Sequence, residues 1–204
     1  MTKTINNLPV YKAVIDNSDE SGIYCVSLVD NPAIESDFIA FSKKPVKVMF
    51  KVENEEKRIV RGCVMRADHP IYRIGNSGFE YYIIYEKQTI RQMVEKFLSN
   101  SNHLNIDQMH DFEMVEGVNL VQSFIKDIEN GINPKGFEEI EDGSLFHEYH
   151  VVNDEIWDKV KAGEFKGFSL AGMFSVEELE DPEEQEYNEV MDLIEKINKR
   201  INKR

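Results

Sequence analysis

Lys166-Gly167-Phe168-Ser169-Leu170-Ala171-Gly172-Met173-Phe174 is an apolar run of strand length that holds one small hydroxyl between two glycines. A glycine lacks a Cβ, so the chain at Gly167 and Gly172 is free to turn sharply or to approach a ligand closely, with amides available for a developing oxyanion. Ser169 is therefore the first candidate nucleophile. The same residues also describe a glycine-flanked core strand, because a serine is activated only when a base lies within hydrogen-bond reach. The rest of the chain has to supply that base.

Working outward, β-rich runs dominate. Residues 10–15 and 23–29 are separated by the turn-forming Asp16-Asn17-Ser18-Asp19-Glu20-Ser21-Gly22, and Val46, Val48, Phe50 and Val52 alternate with Lys47 and Lys51. Further strands are expected at 58–65, 79–85, 118–125 and 145–152. Ile90, Met93, Val94, Phe97 and Leu98 have the spacing of one helical face, which predicts a helix over 89–98 with Thr89 and Gln92 as its capping box. A second, short helix is expected between a capping Asn153 and a terminating Gly163, with Ile156, Trp157 and Val160 on one side. Strands outnumber helices and lack regular β-α alternation, so the fold expected is α+β, built mainly on antiparallel structure. From Val176 the composition turns acidic, so the main domain is placed at 1–175. Residues 176–204 then form an acidic linker and an amphipathic helix carrying Val190, Ile194, Ile197 and Ile201.

With 24 Lys and Arg against 38 Asp and Glu, the net charge is −14. Such a field repels phosphates and speaks against a nucleic-acid partner. Cys25 and Cys63 form no C-x-x-C arrangement, which points to a reducing compartment, and no apolar stretch approaches the length of a membrane span. No cofactor is called for.

Five histidines are available as the base: His69, His103, His110, His147 and His150. His147 and His150 lie three apart on an expected strand and so point to opposite faces, which excludes them as a metal pair. His110, Asp111 and Glu113 lie close together, but no fixed-spacing ligand set such as H-E-x-x-H is present and no metal is expected. An α/β-hydrolase elbow needs G-x-S-x-G, whereas Ala171 stands where its second glycine belongs.

Several segments taken together resemble the XkdF-like branch of phage prohead maturation proteases. They are Ser27-Leu28-Val29-Asp30-Asn31-Pro32-Ala33-Ile34, Phe38-Ile39-Ala40-Phe41, Ile71-Tyr72-Arg73, Asn105-Ile106-Asp107-Gln108-Met109-His110-Asp111, and the run from Asn153 through Trp157 to Gly167-Phe168-Ser169. The resemblance implies a herpesvirus assemblin-like fold, with a β-barrel-like core and flanking helices. It implies Ser169 as nucleophile and His110 as base in a serine endopeptidase that processes scaffold and major capsid protein precursors. It also implies a site of action inside the assembling prohead in the host bacterial cytoplasm, retention in the virion as an option, and a homodimer as an allowed state. One departure stands out. Where relatives carry an acidic residue after the histidine, this chain has Gln122-Ser123-Phe124. Gln122 can hydrogen-bond an imidazole but cannot offset the charge of an imidazolium, and losing the orienting carboxylate of a Ser-His-Asp triad costs about 10⁴ in kcat. Gln122, Asp111 and a strand histidine are the candidates for the third member. The same departure supports an alternative, a weakly active or inactive head protein that keeps the protease fold.

Overall fold

Residues 3–18, 20–30, 32, 49–55, 57–75 and 77–179 are described by a computed structural model. Twelve strands and two α-helices lie among them: β1 (Thr4–Ile5), β2 (Leu8–Val14), β3 (Gly22–Val29), β4 (Lys51–Asn54), β5 (Ile59–Met65), β6 (Ile71–Ile74), β7 (Glu80–Ile84), α1 (Lys87–Ser99), β8 (Ile106–Gln108), β9 (Val118–Ile125), β10 (Leu145–Val151), α2 (Asp154–Ala162), β11 (Gly167–Met173) and β12 (Ser175–Glu178). The α+β class follows. The strands form three sheets, ordered β1-β2-β7-β6 with β12 also on β2, β4-β5-β10-β9, and β11-β3-β8. Pairing is antiparallel except for β2 with β7 and β3 with β8. The expected barrel-like core is corrected here: among the described residues the sheets do not close, because each strand path ends at an edge.

The main core lies between the sheets and the helices. Helix α1 buries Ile90, Met93, Val94 and Phe97, as the helical spacing requires, and α2 buries Ile156, Trp157 and Val160. Phe168 on β11 is 1% exposed, with its ring centroid 5.1 Å from that of Tyr149 and 5.4 Å from that of Phe50. Burying a side chain of this size contributes about 2–3 kcal/mol. Because side chains alternate along a strand, anchoring Phe168 in this core directs its neighbour Ser169 to the opposite face of the sheet.

Three local readings change. Helix α1 begins two residues early, after Glu86, with no side-chain cap; Thr89 is inside the helix, and its Oγ1 donates to the Ala13 carbonyl at 3.4 Å. Tertiary contact has taken the residue that local pattern assigned to a cap. Residues 175–178 are a strand paired with Tyr11–Val14 of β2, although from Val176 the composition reads as linker. All four are exposed, so pairing rather than burial holds this edge, and its acidic side chains face solvent. The short strand β8 had no local signal, being only three residues long. The expected strand at 46–52 is described only in part, as β4, and the C-terminal helix lies outside the described residues.

Candidate active site

The central sheet β11-β3-β8 builds the site. Ser169 on β11 stands directly opposite Ser27 on β3, and Ser27 stands opposite Asp107 on β8. Directly opposed residues share a face, with Cβ atoms about 5 Å apart, so Ser169, Ser27 and Asp107 form one row across the sheet. All three are closed off from solvent, at 5%, 0% and 0% exposure.

The glycines on either side of Ser169 serve packing, not turning. Neither has a positive φ. A Cβ on Gly167 would meet the Pro32 ring at 2.7 Å, and one on Gly172 would meet the Gly22 carbonyl oxygen at 2.8 Å. Each lets a neighbouring segment lie directly against the strand that carries the serine.

His110 reaches this row from the turn that follows β8. The turn is held in an uncommon backbone conformation, with φ of 52° at Met109, 59° at His110 and 60° at Phe112. Its hydrogen bonds show what maintains it. Met109 N–H donates to the Leu28 carbonyl, Asp111 N–H to the Gln108 carbonyl, and Phe112 N–H to Asp107 Oδ2 at 3.0 Å. Asp107 Oδ1 is buried without a hydrogen-bond partner. The charge of Asp107 is felt locally: burial, and then this carboxylate, push the Cys25 thiol up to about 12.

The His110 Nδ1 atom lies 2.8 Å from Ser27 Oγ, so the imidazole is bonded to the hydroxyl facing Ser169, not to Ser169 itself. Ser27 thus ties His110 to the row that carries Ser169. Two of the side chains expected as third member are elsewhere. Asp111 is exposed and accepts the Glu113 N–H at 2.9 Å, closing its own turn. Gln122 is on β9 in another sheet, opposite Glu148, and borders a surface groove with Arg61. Among the described residues, no three metal-ligating side chains come together.

A cavity of about 220 Å³ borders Ser169. Leu170, Ala171 and Gly172 continue its wall along β11, and Tyr24, Arg73 and Tyr85 also line it. Burial raises the Tyr85 phenol to about 12, against the pull of the Arg73 guanidinium beside it. Sequence reasoning took Ile71-Tyr72-Arg73 only as a matching segment and missed Arg73 as a wall of the site. It missed Ser27 and Asp107 as well, although a serine inside the apolar run of β3 was an available signal.

The family model described as "Putative phage serine protease XkdF" matches residues 45–178, a span that includes His110 and Ser169. The chain belongs to the XkdF family of phage serine proteases. An XkdF-family relative, the phage-like element PBSX protein XkdF of Bacillus subtilis (strain 168), is 30% identical over 168 residues, covering 78% of this chain and 55% of its own length. The chain thus spans about half the length of that relative. No solved structure matches. In this XkdF-family chain, no helix among the described residues is long and apolar enough to cross a membrane.

Proposed function

We propose that this chain is a serine endopeptidase that cuts scaffold and capsid precursors during phage head maturation, with a fold related to herpesvirus assemblin. It acts inside the assembling prohead in the host bacterial cytoplasm. The observation that carries the reading is the placement of Ser169 at a cavity, on the same sheet that brings in His110. In the proposed reaction Ser169 Oγ attacks a peptide carbonyl carbon while its proton passes to His110 Nε2. The tetrahedral intermediate expels the amine, which takes that proton, and leaves an acyl-enzyme. Water then attacks the ester, giving its proton to His110, and Ser169 recovers a proton as the new carboxyl end departs. Exposed Met109, Phe112 and Met114 beside the histidine offer apolar contact to a polypeptide substrate.

Coexpression with the phage's scaffold and capsid precursors tests this directly. Wild type should shorten the precursors, and both Ser169→Ala and His110→Ala should leave them full length. Processing that continues with Ser169→Ala refutes the assignment.

A second reading, a head protein of this fold with little or no activity, is supported by one observation: the imidazole bonds Ser27, and among the described residues no carboxylate accepts from it. Intact precursors beside a folded wild-type protein would favour it.

A further inference from the structure

We infer that Ser27 is the positioning residue of the proposed catalytic pair, occupying the place that an acidic side chain holds in a Ser-His-Asp triad. This rests on the reading of Ser169 and His110 as nucleophile and base. An imidazole has two nitrogens, and whichever bears the proton leaves the other as acceptor. With Ser27 Oγ 2.8 Å from Nδ1, the arrangement assigned is Nδ1–H donating to Ser27 and Nε2 carrying the lone pair. Only that tautomer lets Nε2 take the proton of Ser169.

Three further features fit. Ser27 is 0% exposed, so its hydroxyl cannot exchange His110 for bulk water. It faces Ser169 across β3 and β11, so the side chain that bonds the imidazole is the cross-strand neighbour of the proposed nucleophile. It also faces Asp107, whose buried Oδ1 lacks a partner and whose Oδ2 fixes the histidine turn through the Phe112 amide. Ser27 is not itself the nucleophile: the cavity is bordered by Ser169, whereas Ser27 is sealed inside.

Long-range ¹H–¹⁵N NMR of the full chain, uniformly ¹⁵N-labelled, reads the His110 tautomer without any substitution. The inference predicts a protonated Nδ1 and an unprotonated Nε2 near neutral pH, and a protonated Nε2 overturns it. A fluorophosphonate probe, with the adduct mapped by mass spectrometry and its rate followed across pH, gives the second readout. Ser27→Ala should slow labelling at Ser169 by about 10- to 100-fold and move the pH midpoint of the rate, as expected when a base loses its orienting partner. An unchanged rate and midpoint would overturn the inference, as would an adduct on Ser27. A wild-type protein with the expected tautomer and no adduct supports the placement of Ser27 while refuting the protease reading, so the two failures are distinguishable.

Discussion

Replacing Gly172 with alanine tests whether close approach of β11 to β3 sets the position of Ser169, the proposed nucleophile. The added Cβ would lie 2.8 Å from the Gly22 carbonyl oxygen and 3.3 Å from the Ile23 Cα. Both are backbone atoms, so no rotamer change relieves the contact, and the strands have to part by about half an ångström to reach ordinary separation. Overpacking of this kind costs about 1–3 kcal/mol, which lowers the folding equilibrium by about 5- to 150-fold. Ser169 lies three residues away on the same strand, and a displacement of about 1 Å in a reacting group costs about 100-fold in rate. Gly75→Ala is the control, because its Cβ would meet its nearest neighbour, the Phe79 carbonyl oxygen, at an ordinary 3.6 Å. Urea unfolding followed by the fluorescence of Trp157 should show a clear loss of stability for Gly172→Ala and a change within about 0.5 kcal/mol for Gly75→Ala. Equal midpoints for Gly172→Ala and wild type would refute the packing role assigned to this glycine.

Other regions give independent tests. Lys126 is 1% exposed and its ammonium donates to the carbonyls of Phe137, Glu138 and Ile140, so Lys126→Met should cost about 3 kcal/mol or more in urea unfolding by orphaning buried acceptors. Asn153→Ala removes the Oδ1 that accepts the Ile156 N–H at 3.1 Å and should lower stability by about 1 kcal/mol. Burial holds His147 down to about 3, so the unfolded chain binds this proton at a higher pH than the folded one. Stability should therefore fall as pH drops from about 6.5 toward 3, and His147→Phe should flatten that slope in pH-dependent urea melts. Glu141 lies lower, at about 2; burial raises it, but the bonds from His69 and Arg66 outweigh that effect. Its contribution should be lost between about 4.5 and 2, and Glu141→Gln should remove that part of the acid transition.

Legibility in the sequence followed the physical range of each interaction. Ile90, Met93, Val94 and Phe97 announced α1 because one helical face is a local pattern, and Asn153 with Gly163 marked both ends of α2. Thr89 misled, since its bond to Ala13 arises only when strand and helix pack. Residues 176–178 read as the start of an acidic linker because an exposed edge strand needs no apolar side chains to pair with β2. At the candidate site, His110 and Ser169 were singled out as residue types in recognisable segments, and their roles stay proposals. Ser27 and Asp107 were not, because their roles depend on register: parallel pairing with β8 on one side and antiparallel pairing with β11 on the other bring three distant segments into one row. Gln122 shows the converse. The family resemblance suggested it as a partner for His110, but β9 carries it into a different sheet, opposite Glu148.

Ser169 is proposed to be a nucleophile activated by His110. Incubation of the intact protein with a fluorophosphonate probe, followed by mapping of the adduct by mass spectrometry, tests it most directly. A single adduct on Ser169 is expected, absent from Ser169→Ala and strongly reduced in His110→Ala. An unreactive Ser169 in the folded wild-type protein, or labelling that persists undiminished without His110, would contradict it.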